Sequence, residues 1–159
     1  MQKADRLRYI GLYQIIGGIV GWLMVGWALL SEEGQSKSLT IVVVLGILLF
    51  SFSIVCGWRL LRNYKQAILF SAINQGLQVL MFGLSSVLFK YCSGIYLSFG
   101  VNVLDDIKMK ANIGLSMFHL SINTGEQWEI SVNVIAVWLF VYLIRAQESR
   151  EEYNIFTTR

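Results

Sequence analysis

Long uncharged apolar runs dominate the N-terminal half of the chain. Tyr9–Leu30 contains no charged residue, Thr40–Leu61 contains only Arg59, and Ala67–Phe89 again contains none. About 20 apolar residues are enough for a helix to cross the roughly 30 Å hydrocarbon core of a bilayer. The pattern therefore predicts three transmembrane helices within residues 1–89.

A fourth, shorter apolar run lies near the C-terminus, at Ile130–Ile144. Its 15 residues fall short of the bilayer at about 1.5 Å per residue. Trp128 as an interfacial anchor and Arg145 as the polar end make it long enough. We therefore expect a fourth transmembrane helix over residues 130–146 and a cytoplasmic tail over residues 147–159.

Between the third and fourth runs, residues 90–129 alternate apolar and polar positions with a period of two, which is typical of β-strands. Asp105–Asp106 and Asn123–Glu126 are turn signals within this segment. The same alternation continues into the fourth apolar run, so we expect the change from strand to helix near Val132. The segment predicts an external meander of three or four antiparallel strands.

Such a sheet presents one apolar face, which about 40 residues cannot cover on their own. The apolar face must pack on the helix ends, on the membrane surface or on another chain. This favours a homo-oligomer or a protein partner, although a sheet that caps its own helix bundle satisfies the same pattern.

Composition supports the membrane interpretation. Hydrophobic residues make up 55% of the 159 residues and charged residues 14%, against about 25% charged in an average soluble domain. The chain has no proline, which is typical of long uninterrupted helices. These values exclude an ordinary soluble enzyme, a disordered tail and a free nucleic-acid-binding domain.

The positive charges predict an orientation. Nine of the thirteen Lys and Arg residues flank the predicted spans on the side of the two termini. Because basic residues concentrate on the cytoplasmic side, we expect both termini in the cytoplasm. The expected location is the plasma membrane, in a bacterium the inner membrane, with several passes through the bilayer.

Small and polar side chains share faces of the predicted helices. Small residues allow helices in lipid to approach closely, and polar groups hydrogen-bond between them. The predicted packing face consists of Gly11, Gly17, Gly18, Gly21, Gly46 and Gly57. The predicted polar residues are Gln14, Ser71, Asn74, Gln75, Gln78 and Ser85.

Two interpretations of the polar residues remain open. They can hydrogen-bond between helices, or they can line an uncharged pathway for water or an ion. In either case they must face protein or water, because an unpaired amide in hydrocarbon costs several kcal/mol. The expected interface anchors, which sit at the headgroups, are Trp27, Trp58, Trp128, Arg59 and Arg145.

Catalytic chemistry has little support in the sequence. The single histidine, His119, is a poor nucleus for a triad or a metal site. No nucleotide-binding glycine pattern or paired CxxC motif occurs. No Asp, Glu, Lys or His lies at the centre of a predicted span, where a proton-coupled carrier normally has an ionisable group. We therefore expect no enzyme activity, no cofactor and no metal.

Together these patterns predict an all-α membrane protein, a bundle of four transmembrane helices with a small antiparallel β-meander between helices 3 and 4. The expected function is that of a non-enzymatic structural or sensor subunit of a membrane complex, in contact with the lipid bilayer and not directly with nucleic acid. The alternative is a small homo-oligomeric channel or permease that uses the polar residues of helix 3.

Overall fold

The N-terminal third of the chain forms two long helices. A computed structural model describes residues 3–31, 37–62, 66–102 and 108–157. Helix α1 covers Lys3–Ser31 and helix α2 covers Lys37–Leu61. Within them, Asp5–Leu30 and Thr40–Leu61 are long and apolar enough to cross a membrane. At 1.5 Å per residue they measure about 39 and 33 Å.

The third apolar run changes secondary structure in its middle. Helix α3 covers only Ala67–Val79, and the backbone becomes extended at Leu80 (φ −106°, ψ 128°). Strand β1 follows directly over Leu80–Asn102. The predicted third transmembrane helix, Ala67–Phe89, is therefore wrong in its second half. An uncharged apolar run suits a strand as well as a helix, and here pairing with a second strand satisfies the backbone.

The fourth predicted transmembrane helix is also wrong. Strand β2 covers Lys108–Asn133, and helix α4 covers Val134–Thr157. Only the first eleven residues of α4 are apolar, about 16 Å of helix before Arg145. The change from strand to helix lies two residues after the expected position, because Asn133 caps α4: its Oδ1 accepts a hydrogen bond from the Ala136 backbone N–H at 3.4 Å.

The two strands form one long antiparallel hairpin that curls back on itself. The register breaks after Ser85 and again after Cys92, and Gly94 has a positive φ of 108° at the second break. Few residues other than glycine adopt this conformation, so Gly94 marks a sharp bend. The predicted turn at Asp105–Asp106, between the strands, lies outside the described residues.

The bends place four segments of the hairpin side by side. Residues 129–132 pair on one side with residues 80–83 and on the other side with residues 99–102, and Asn133 pairs with Ser98. The order across the sheet is 80–85, 127–133, 98–102 and 108–112. In the middle of the hairpin, residues 87–92 pair only with residues 117–122, so this part of the hairpin has two strands instead of four.

The apolar core lies at one end of the helix pair. Its buried residues come from the start of α1, the end of α2, from α3 and from the first half of α4: Ile10, Leu60, Ala67, Ile68, Ala72, Leu139 and Leu143. The hairpin instead contacts α1 and α2 further along, where Gly17 meets Gly94 and Gly46 meets Phe118. Helices α3 and α4 thus pack at the end of the α1–α2 pair that carries the core, and the hairpin packs against the middle of the pair.

The architecture is therefore mixed helix and sheet. The expected all-α bundle of four transmembrane helices is wrong, and the β structure is not an insert between two complete helices. It begins ten residues before the expected position at residue 90 and packs against the middle of the helix pair.

Candidate functional site

The small residues of α1 pack α1 tightly against α2. A side chain at Gly11 would contact the Gly57 carbonyl oxygen at 2.9 Å, and one at Gly18 would contact the Phe50 carbonyl oxygen at 2.8 Å. Gly21 lies against the ring of Phe50. Close backbone approach of this kind is what small residues allow between helices.

Two of the predicted packing glycines contact the sheet, Gly17 alone and Gly46 together with Val25 of α1. A Cβ at Gly17 would overlap the backbone of Ser93 and Gly94, and one at Gly46 would lie 3.0 Å from the Phe118 ring. The Gly17 carbonyl oxygen accepts a hydrogen bond from Ser116 Oγ at 2.7 Å. The bend of the hairpin therefore rests on α1 halfway along its apolar length.

A buried hydrogen-bond network joins the two long helices, α3 and the hairpin. Ser53 Oγ lies at its centre: it donates to the Gln14 carbonyl oxygen at 3.1 Å and accepts from Asn74 Nδ2 at 3.1 Å and from Ser93 Oγ at 2.8 Å. Ser71 Oγ donates to Gln14 Oε1 at 3.1 Å. These five side chains are fully buried.

The network extends to the hairpin through two further residues. The Tyr91 hydroxyl lies 2.9 Å from the Leu49 carbonyl oxygen and 3.3 Å from Asn74 Oδ1. Gln78 Oε1 accepts a hydrogen bond from the Ser93 backbone N–H at 2.8 Å. Of the six predicted polar residues, the structure thus brings Gln14, Ser71, Asn74 and Gln78 into one network.

Gln75 differs from its neighbours. It is fully buried, yet within the described part of the chain neither its Nε2 nor its Oε1 has a hydrogen-bond partner. A buried amide without a partner carries its full desolvation cost, about 1–3 kcal/mol. The sixth predicted polar residue, Ser85, lies in β1, but its side chain is outside the described structure.

The contrast between two amides of α3 gives a testable prediction. We expect Gln75→Leu to raise the free energy of unfolding by about 1 kcal/mol, because it removes an unpaired amide while keeping a similar volume. The matched variant Gln78→Leu removes the acceptor of the Ser93 N–H and should lower stability by about 1–3 kcal/mol. Thermal unfolding of the purified variants in detergent measures both. A Gln75→Leu variant less stable than Gln78→Leu would contradict the contrast.

A second polar group lies inside the curled hairpin. Lys90 Nζ and Glu129 Oε1 form an ion pair at 2.7 Å, and Ser131 Oγ donates to the same oxygen at 3.3 Å. A cavity of about 150 Å³ adjoins the pair and is lined also by Ser98 and Asn112. Met81 and Met117 line the cavity as well, and its volume corresponds to about five water molecules.

The opposite face of the sheet is apolar and exposed. We call it the outer apolar face; Leu84, Ile95, Phe99, Leu115, Trp128 and Ile130 belong to it, and each is at least 41% exposed. An apolar groove of about 520 Å³ runs across it. Around residues 129–131 the sheet therefore buries the polar side chains of Glu129 and Ser131 and exposes the apolar side chain of Ile130.

The predicted interface anchors lie on the surface of the molecule. Trp27, Trp58 and Trp128 are exposed, at 74%, 53% and 49%. Arg59 and Arg145 are exposed as well, and the Arg59 guanidinium carbon lies 5.1 Å from the centre of the Phe70 ring. These positions are compatible with contacts to headgroups.

Sequence reasoning missed several residues of both polar groups. Tyr91, Ser93 and Ser116 fell in the presumed external loop, and nothing in their spacing indicated contact with α1 and α2. Lys90 and Glu129 are 39 residues apart, and only the hairpin register places them together. The period-two pattern assigned both to polar positions but could not show that this face is the covered one.

Within the described ranges, no group of three or more His, Cys, Asp or Glu side chains could hold a metal ion. His119, the single histidine, is exposed. Comparison with protein-family models, with curated proteins and with solved structures finds no match to this chain.

Proposed function

We propose that the chain is a non-enzymatic, membrane-embedded structural or sensor subunit of a membrane complex. The observation that carries the proposal is the inverted distribution of polarity. The buried side chains include Gln14, Ser53 and Asn74, while large apolar side chains cover the exposed surface of α1, α2 and the sheet. In water this arrangement leaves a large apolar area exposed, whereas lipid accommodates it at no cost.

The hydrogen-bond network supports a packing function for the polar residues. Gln14, Ser53, Ser71, Asn74 and Gln78 bond to one another, to the hairpin or to backbone oxygens, and none is more than 1% exposed. A pathway for water or ions needs polar groups that face an open lumen. The network therefore favours a rigid subunit over the channel or permease interpretation.

Mass measurement after extraction in a mild detergent tests the subunit function. We expect the intact complex to contain more than one polypeptide, either further copies or a second protein. A homogeneous monomer that retains its fold would contradict the proposal. Ion or water flux through vesicles that contain only this chain, lost in Gln75→Leu and Gln78→Leu, would instead support the channel alternative.

Orientation gives a separate prediction. With both termini in the cytoplasm, a cysteine at Glu148 should react with a membrane-impermeant maleimide only after the cells are opened. A cysteine at Lys108 should react in intact cells, because Lys108 is exposed on the hairpin. The native Cys56 and Cys92 are free but buried, so they should contribute little background. The reverse labelling pattern would show the opposite orientation.

A further inference from the structure

The outer apolar face lies at the depth of the two long helices, not beyond their ends. The bend at Ser93 and Gly94 contacts Gly17, which is halfway along Asp5–Leu30. The hydroxyl of Tyr91 lies 2.9 Å from the carbonyl oxygen of Leu49, which is close to the middle of Thr40–Leu61. If α1 and α2 cross the bilayer, the bend of the hairpin therefore sits near the bilayer centre.

The lengths of the mixed helix–strand segments match a bilayer. Helix α3 gives about 20 Å and residues 80–85 add about 20 Å at 3.3 Å per strand residue. On the return, residues 128–133 give about 20 Å and the apolar part of α4 gives about 16 Å. Both segments exceed the roughly 30 Å of hydrocarbon, and their helical halves lie together at the same end of the α1–α2 pair.

The two faces of the sheet have the polarity that this depth requires. An antiparallel sheet in water normally covers its apolar face and solvates its polar face. Here Ile130 is 54% exposed, while its neighbours Glu129 and Ser131 are 9% and 2% exposed. The alternation of apolar-out and polar-in is the one that strands adopt when lipid surrounds them.

The inner segments of the sheet meet the backbone requirement of an apolar solvent. Hydrocarbon offers no hydrogen bonds, so backbone groups at that depth need partners within the protein. Residues 98–102 and 129–132 are paired on both sides, whereas the edge segments 80–85 and 108–112 are each paired on one side only. The edge segment 108–112 carries Lys108 and Lys110, whose long stems can extend to the headgroup region.

We propose that the outer apolar face contacts lipid acyl chains, so that the chain crosses the bilayer by α1, by α2 and by two mixed segments, α3–β1 and β2–α4. Each mixed segment is helical in the half nearer the termini and strand in the other half. This face adjoins α1, since the Tyr13 hydroxyl donates to the Ile95 carbonyl oxygen at 2.6 Å, and α1 itself exposes large apolar side chains, which favours lipid over a second copy of the chain. The inference rests on the proposed membrane function.

Nitroxide accessibility in vesicles of phosphatidylcholine and phosphatidylglycerol tests the inference. Labels are placed on the full chain at Ile130→Cys and Phe99→Cys on the outer apolar face, at Leu23→Cys on α1 and at Glu148→Cys as the aqueous reference. We expect frequent collisions with oxygen at both sheet positions. Collisions with a water-soluble nickel chelate should be roughly tenfold fewer than at position 148, because polar solutes are depleted from hydrocarbon.

The outcomes separate this inference from the proposed function. Chelate contact at both sheet labels, with Leu23→Cys still lipid-like, would overturn the lipid contact of the sheet but leave the membrane function intact. Low collision with both reagents at the sheet would overturn it in favour of a second copy or a protein partner. Chelate contact at Leu23→Cys as well would contradict the proposed function itself. The two sheet labels guard against the failure of either variant to fold.

Discussion

Replacement of Gly17 by alanine should destabilise the protein by about 2 kcal/mol, within the range for overpacked positions. The new Cβ would overlap the backbone of Ser93 and Gly94 instead of a movable side chain. Gly94 cannot shift easily, because its φ of 108° already defines the bend, and the ring of Tyr13, one turn before Gly17 on α1, also packs against it. We expect Gly17→Leu to abolish the folded state. Fluorescence-detected gel filtration after graded heating measures the loss.

Gly26 provides the matched control on the same helix. Among the described residues, nothing lies within 4 Å of a Cβ placed at Gly26. Gly26→Ala should leave stability unchanged or raise it by up to about 1 kcal/mol, the helix propensity gained by replacing glycine. Equal melting temperatures for Gly17→Ala and Gly26→Ala would show that α1 does not contact the hairpin as described.

Removal of the acidic partner inside the hairpin should have a comparable or larger effect. Glu129→Leu leaves the Lys90 ammonium without its partner in an interior where both side chains are at most 20% exposed. Breaking a fully buried pair on one side costs about 3–5 kcal/mol; this pair is part-buried beside a cavity, so we expect a loss of about 2–3 kcal/mol. The free energy of unfolding in detergent, from denaturant titration, measures this cost.

Two further variants separate the charge from the packing. Glu129→Gln keeps hydrogen-bond acceptors for Lys90 and Ser131 and should lose less than Glu129→Leu. The double variant Lys90→Met with Glu129→Leu should recover most of the loss, because replacing both partners by apolar groups is often neutral. A double variant as unstable as the single one would show that the ion pair is not the cause.

The first two helices were predicted correctly from their long uncharged apolar runs, although run length alone does not guarantee a helix. The predicted run Tyr9–Leu30 lies within α1 and ends one residue before it. The run Thr40–Leu61 lies within α2 and ends at the same residue. The third run has the same length and composition, yet it divides at Leu80. Apolar content alone does not separate a helix from a strand that is paired on both sides, and the pairing partners lie some fifty residues further along the chain.

The candidate site was partly predictable for a related reason. Amides on one helix face indicate contacts with other protein groups, and four of the six predicted residues take part in the network. The partners from the hairpin were unpredictable, because they depend on a bend at Gly94 that places Ser93 beside Ser53. The alternation of the strands was visible in the sequence. The alternation does not show which face of the sheet is buried, because that depends on whether water or lipid surrounds it.

The contact between Ser116 and Gly17 spans 99 residues of sequence and has a consequence for biogenesis. During synthesis the ribosome releases α1 and α2 well before the hairpin, so a docking surface exists by the time Ser93, Gly94 and Ser116 emerge. If the outer apolar face contacts lipid as proposed, the hairpin cannot insert into hydrocarbon as separate strands, since their amides have partners only after pairing. We therefore expect its strands to pair while they dock on the α1–α2 pair, which makes the first two helices an intramolecular template for the rest of the chain.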